Sequence, residues 1–577
     1  MTDTPAYEKQ PVVVVSGGSE GVAWRGWPEI GRRLGAGTTT PVLVVDCYPG
    51  VDRAEIVAAL RTGRPELTAI DPAEAMKDAD ALDAMLARFL TEDRVFGYMA
   101  PFTMDEFFDA GRLDGLRHRL GAASGPVAVV GTGAALVSRG DVLVIADMPR
   151  WEIQLRYRAG LPNWTADNPH EDVLRKYKRA FFIEWRTADR HKMALFEAAR
   201  FFLDTTVRGD PKLVDGDAMR SALESVTRRP FRVVPFFDPG VWGGQWMREH
   251  FDLPPDASNY AWGFDCVPEE NSLLLAFGDI PVEVPSINVV LRHPKPLLGE
   301  RAHARFGAEF PIRFDFLDTM GGANLSLQVH PTTEYARQSF GIAYTQDESY
   351  YMLEAGPDAA VYLGLRDGVE ASAFFEAIEE AQSGGPALDV ERFVNRWPAR
   401  RHDHFSIPAG TVHCAGTDCL VLEISATPYI FTFKLWDWGR LGMDGRPRPV
   451  HVDHGRQVLQ ADRDTDWVRS TTLNLIQPIA EGEGWREERT GLHELEFIET
   501  RRHWFTEAVP HNTNGSVHVI NLVEGARAVI ESPEGAFAPF PICFAESVIV
   551  PAAVGTYCVV PGAPGRPHAT IRASVRL

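Results

Sequence analysis

The sequence predicts a multidomain protein: an N-terminal α/β domain built on a parallel sheet, then two all-β jelly-roll domains. Three observations predict it. The 577 residues exceed one ordinary core. The first third alternates continuous β-branched runs with helical stretches, as a parallel sheet covered on both faces requires. Beyond Arg229-Pro230 many short strands alternate with Gly/Pro turns, the mark of a sandwich or jelly roll. The expected domains are 1–225, 226–460 and 461–577.

The α/β strands are expected at PVVVVSGG (11–18), PVLVVDCYPG (41–50), PVAVVGTGAALV (126–137) and DVLVIADMP (141–149). Between them, Asp71 can cap a helix that has Pro72 at its first position and Glu74 completing a capping box. Leu82, Met85, Leu86 and Phe89 follow on one helical face. RKYKRAFFIEWRTADRHK (175–192) is expected as a half-exposed basic helix that could bind a phosphorylated ligand or dock other domains. From FFDPGVWGGQW onward the strand-like runs are VEVPSINVVL, LSLQVHP, SYYMLE, AVYLGL, DHFSIPAG, VHCAG, LVLEISA and FTFKLWDW. One helix interrupts them, with Ala371, Phe374, Phe375 and Ile378 on a face and Gly384-Gly385-Pro386 ending it. VHVINLVEG, ARAVIE and SVIVPAAVGTYCVV belong to the last β segment, which shows no obvious cluster of ligands.

A formal net charge of -21 disfavours a nucleic-acid surface, which needs a basic stripe. The six cysteines lack C-x-x-C spacing, so neither a disulfide framework nor a thiolate zinc site is indicated. The start MTDTPAYEKQ is polar, and no apolar run reaches a membrane span. The expected place is the cytoplasm, with no membrane partner.

One constellation carries chemistry. Gln328 and His330, two apart, share a strand face. Glu348 opens the strand of TQDESYYMLE, and His413 follows the turn of IPAGTVHCAG. One amide oxygen, two imidazoles and one carboxylate suit zinc or another first-row divalent ion, with room for water or substrate. Singly, each has a plainer reading: a packed histidine, a solvated charge, a turn hydrogen bond.

LSLQVHP, the ESYY strand, IPAGTVHCAG and LVLEIS, in that order, resemble the type I mannose-6-phosphate isomerases, zinc enzymes of the cupin superfamily. FFDPGVWGGQW and PIRFDFLDTMGGANLSLQVHP resemble further stretches of that family. The likeness covers residues 235–455, and more faintly the last β segment. It implies two cupin-type β domains and zinc on Gln328, His330, Glu348 and His413. Two positions depart from the pattern. Gln346 stands where the family has lysine. In FTFKLWDWGR (431–440) Lys434 replaces an arginine assigned to catalysis or phosphate binding, while Arg440 is kept. Lysine supplies charge without the bidentate fork of arginine.

Aldose–ketose isomerisation moves a proton between adjacent carbons and needs a base and a polarised carbonyl. The implied activity is interconversion of mannose 6-phosphate and fructose 6-phosphate, or of a related sugar or sugar phosphate. Lys434, or a metal-bound water, is the candidate base. Arg440 would bind phosphate or a hydroxylate, Asp437 could orient either cation, and Ser326 is a weaker contact candidate. The alternative is a non-catalytic sugar-binding regulator. The N-terminal third resembles P-loop nucleoside or uridine kinases, with ADMPRWEIQLRYRAG (Arg150, Arg156, Arg158) resembling their lid. Its first turn, SGGSEGVAWRGW, lacks the Lys and Ser/Thr that hold phosphate and magnesium, so a degenerate kinase-like domain is expected. The oligomeric state is not legible.

Overall fold

The computed structural model describes residues 7–15, 21–35, 42–426, 429–446, 448–491, 493 and 495–576. The chain divides into two compact units: Val12–Val226 with Ser272–Arg292, and Met1–Pro11 with Thr227–Asn271 and His293–Leu577.

The first unit is built on a seven-stranded sheet. Its order is Ala23–Arg25, Lys212–Asp215, Phe201–Asp204, Val142–Asp147, Val42–Cys47, Val127–Gly131 and Thr68–Ile70. The last five strands are parallel and the first two antiparallel. The valines and leucines of the central strands are buried on both faces, which explains their unbroken apolar runs. Val42–Cys47 has later strands on both sides, the switch point of a doubly wound sheet. Tyr48-Pro49-Gly50 follows it. Gly50 sits at φ +108°, where a Cβ would lie 2.8 Å from Ile153 Cγ1, so only glycine fits that turn.

Several expectations are corrected here. PVVVVSGG is not a strand of this sheet. Val12–Val14 pairs with Ser272–Phe277 in a separate three-stranded sheet, with Val12 and Val14 exposed. The turn at 17–20 lies outside the described residues. VEVPSINVVL is not a strand of the β-rich segment: it forms strand Ile280–Pro285 and helix Ile287–Arg292 of the α/β unit. Asp71 accepts from the Ala73 amide at 3.0 Å but caps only the short turn Pro72–Ala75, and the helix with Leu82 and Leu86 begins at Ala79. Residues 175–192 are mostly buried. Lys176 Nζ donates to the carbonyls of Leu161 (2.9 Å) and Pro169 (2.7 Å), and Lys192 pairs with Asp147 at 2.8 Å. Arg150 is buried against Asp189, and Arg156 donates to Glu152 and to three backbone carbonyls. These cations hold their own fold together, as buried charges must.

The second unit contains two β-sandwiches. In the first, a six-stranded sheet has the order His404–Ile407, Asp347–Ala355, Cys419–Ala426, Arg313–Asp318, Trp262–Cys266, Phe236–Asp238. A five-stranded sheet has the order Val394–Pro398, Ala360–Leu365, His413–Ala415, Leu327–Val329, Phe433–Trp436. The chain passes repeatedly from one sheet to the other, and the strand pairs are antiparallel, which is jelly-roll architecture. The expected helix is present as Ala371–Gln382, burying Phe374, Phe375 and Ile378. The second sandwich packs a six-stranded sheet (477–575) and a four-stranded sheet (509–561) over a core that includes Phe505, Ile520, Leu522, Ile530 and Val559. No described helix is long and apolar enough to cross a membrane.

Candidate metal centre

Leu327–Val329 lies between His413–Ala415 and Phe433–Trp436. Gln328 is directly opposite His413 on one side and Lys434 on the other. Directly opposed residues of antiparallel strands project to the same face. His413, Gln328 and Lys434 therefore form one row across three strands. His330 follows two residues after Gln328, and Glu348 comes from Asp347–Ala355 in the other sheet. The turn before His413 is fixed from several sides. Asp347 Oδ1 accepts from the Ala409 amide at 2.9 Å. Arg463 Nη1 reaches Pro408 O, Ala409 O and Thr411 Oγ1 at 2.8, 2.7 and 2.6 Å.

The three ionisable groups meet. His330 Nε2 lies 3.0 Å from one Glu348 oxygen, and His413 Nε2 lies 2.8 Å from the other. All three side chains are fully buried, and their ligand atoms lie within 4.8 Å of one another. Gln328 completes the set, its amide 3.3 Å from His413 Nε2; rotating that amide presents Oε1 in place of Nε2.

Tautomers give this arrangement its meaning. His330 Nδ1 donates to Phe431 O at 2.7 Å, and His413 Nδ1 donates to Thr411 O at 2.8 Å. In the neutral ring, the form that ligates a metal, each Nε2 therefore turns a lone pair towards the Glu348 carboxylate. His330 Nε2 and Glu348 Oε1 have no hydrogen-bond partner. Electron-pair donors facing one another in a dry interior repel unless a cation or shared proton lies among them. The residues thus fit a divalent metal ion. Burial would raise the Glu348 carboxyl, but the two imidazoles outweigh it and hold it well below the usual range. Burial would lower His330, but Glu348 outweighs it and raises it. Behind Glu348, burial pushes Asp315 up to about 7 and Glu423 well above the usual range, with neighbouring carboxylates adding to both.

Gln346 is buried and donates to Glu348 Oε2 at 2.9 Å and Glu423 Oε1 at 3.4 Å, while its own oxygen accepts from the Phe431 amide at 3.2 Å. A neutral amide thus orients the carboxylate. Lys434 is half-buried in the row with Gln328. Arg440 is tied elsewhere. Its Nε donates to Asp437 O (3.1 Å), Nη1 to Asn324 O (2.7 Å) and Nη2 to Asp437 Oδ1 (2.6 Å). Asp437 also accepts from Ser326 Oγ at 2.8 Å and Arg448 Nη1 at 2.9 Å. Asp437 is thus joined to Arg440, to Arg448 and to Ser326, which stands two residues before Gln328. Arg448 escaped the sequence reading; the one trace of it was the basic stretch GRPRPVH.

A jelly-roll sandwich with two imidazoles, a carboxylate and an amide converging inside it defines a candidate metal-binding β-barrel protein. Residues 26–228 match a family described as a domain of unknown function, DUF8485. The chain is similar to the mannose-6-phosphate isomerase of Streptococcus mutans, 26% identical over 221 residues, 38% of this chain and 64% of the relative. It is similar to mannose-6-phosphate isomerase ManA of Bacillus subtilis, 23% identical over 41% of this chain and 69% of that protein. The chain thus spans about two thirds of the length of the curated relatives it matches. Among solved structures, mannose 6-phosphate isomerase from Bacillus subtilis matches at 18% identity and a TM-score of 0.47, over 60% of this chain and 99% of that one.

Proposed function

We propose that this protein is a metal-dependent aldose–ketose isomerase acting on a sugar phosphate, in the first instance interconverting mannose 6-phosphate and fructose 6-phosphate. One observation carries the reading: two imidazoles, each fixed at Nδ1 by a backbone carbonyl, turn Nε2 onto one buried carboxylate. Gln328, His330, Glu348 and His413 would hold zinc or another first-row divalent ion. When bound, such an ion supplies Lewis-acid polarisation of the substrate's carbonyl and adjacent hydroxyl oxygens.

The chain's own residues do the rest. Gln346 keeps Glu348 oriented. Lys434, beside Gln328, takes the proton from one carbon and returns it to the next. Arg440 spends three N–H groups on Asp437 and Asn324, so its part is to fix Asp437; of a guanidinium's five N–H groups, two remain to meet a phosphate. Arg448 and Ser326 complete that anion platform.

A coupled assay of fructose 6-phosphate formation tests the reading. Turnover is expected in the metal-loaded protein, with a loss of roughly 10²–10⁴-fold in Lys434→Ala, as removal of a general base costs. Metal-loaded protein that turns over no hexose phosphate would sink it. The neutral Gln346 beside Glu348 favours a second reading, a sugar-binding regulator. That reading predicts metal and ligand binding without turnover. We further propose a domain division at 225 and 460, with Ser272–Arg292 returning to the α/β unit, a cytoplasmic location, and an α/β unit that is a degenerate kinase relative. Tyr48-Pro49-Gly50 after the central strand supports the last point. Isothermal titration should find no ATP binding, and tight binding would overturn that point.

A further inference from the structure

The second sandwich hides a polar end that the sequence did not announce. Glu487 is opposite His503, His503 opposite Thr570, and Arg501 opposite Arg572, so these side chains share one sheet face. His511 and Tyr557 are opposed on the other sheet. The two sets meet inside. The His503 and His511 rings lie 4.5 Å apart edge to face, His511 stacks on Tyr557 at 4.9 Å, and His518 Nδ1 is 2.7 Å from the Tyr557 hydroxyl. Glu487 Oε1 lies 2.9 Å from Arg501 Nη1, 3.2 Å from His503 Nε2 and 3.6 Å from Arg572 Nη2.

This end is buried and its polar atoms are not all matched. Thr570 is 1% exposed, His503 2%, His511 6% and Arg572 7%. Thr570 Oγ1, His503 Nδ1, His511 Nε2 and Arg572 Nε have no hydrogen-bond partner. Four such atoms at one end of one sandwich is a concentration that native interiors avoid, because each costs about 1–3 kcal/mol. A metal is not the answer: among the described residues only His330, Glu348 and His413 converge closely enough. The chemistry of the group is that of an anion receptor. Two guanidinium groups, the Thr570 hydroxyl and His511 Nε2 offer donors, while His503 gives its N–H to Glu487 through Nε2 and stands beside them. Burial, first of all, holds His503, His511 and His518 neutral, so the arginines set the sign of the field against Glu487.

We infer that the polar end of the second sandwich binds a small-molecule oxyanion, a carboxylate or phosphoryl group, through Arg572, Thr570 and His511, with the His503 ring alongside. The inference is independent of the isomerase reading. Its test needs a local readout, because phosphate could also meet the Ser326–Arg448 platform. Full-length, metal-loaded protein with ¹⁵N-labelled histidine is titrated with inorganic phosphate and, separately, with gluconate. The ring resonances are assigned through His503→Gln and His511→Gln. The His503 and His511 ring nitrogens should shift saturably with at least one probe, and the probe that succeeds identifies the source of the oxyanion. Thr570→Val, close to isosteric, should weaken that titration roughly tenfold, as should Arg572→Met if it folds. His413→Ala should leave it unchanged. No saturable shift with either probe, or shifts unaltered by Thr570→Val, would overturn the inference.

Discussion

Both sandwiches bury histidines, yet their imidazoles are used in opposite ways. In the first, backbone carbonyls hold Nδ1 of His330 and His413, and both Nε2 atoms point at Glu348. In the second, His503, His511 and His518 lie among Tyr557 and arginines, and only His503 reaches a carboxylate. Burial of histidine therefore does not make a metal centre. A metal centre needs a tautomer fixed from behind and lone pairs aimed at a common point, and only the first sandwich offers that arrangement among the described residues.

The largest break in this contrast should come at Glu348. Glu348→Gln keeps the shape but removes the charge on which both imidazoles converge. Divalent-metal affinity, measured by competition with a chelator, should fall by more than about 100-fold, the upper end for changes merely behind a ligand. Unchanged affinity would mean that the imidazoles do not act with the carboxylate.

Acid should separate the two sandwiches next. Burial, chiefly, lowers His503 to about 4. Between the unfolded value near 6.5 and about 4, the unfolded chain takes up a proton that the folded chain refuses. The stabilisation is thus whole above pH 6.5 and is lost as pH falls towards 4. At pH 5 this one group should cost about 2 kcal/mol, with His511 and His518 adding in the same direction. Urea midpoints at pH 7.5 and 5 measure it. His503→Gln should show a visibly flatter dependence, and an equal slope would contradict the assignment.

The smallest effect is expected at Gln346. Gln346→Leu leaves Glu348 Oε2 and the Phe431 amide without this partner. It should weaken metal binding about tenfold while the second sandwich keeps its histidine resonances. A change in those resonances would show that the two sandwiches are not independent.

Sequence reasoning named the first site because its signals are local. Gln328 and His330 obey the strand period, and the Pro-Ala-Gly turn announces His413. The second cluster had no such signal. His503, His511 and His518 stand on three different strands, with no motif among them, and only the pairings in both sheets bring them together. The same holds for Val12–Val14, whose partner lies some 260 residues away, and for Arg448, whose link to Ser326 spans 122 positions. Long-range pairing leaves no periodicity to detect. The interior of residues 175–192 was misjudged for another reason: its lysines read as solvent-facing, but carbonyls and Asp147 satisfy them in the core.

The central claim is that Gln328, His330, Glu348 and His413 hold a catalytic divalent ion. The most direct test is the metal content of the purified full-length chain beside that of Glu348→Gln, by elemental analysis after exhaustive dialysis. The account predicts one equivalent of a first-row divalent metal per chain, lost in the variant. A folded chain carrying no metal even after incubation with zinc, or a variant that retains it fully, would contradict it.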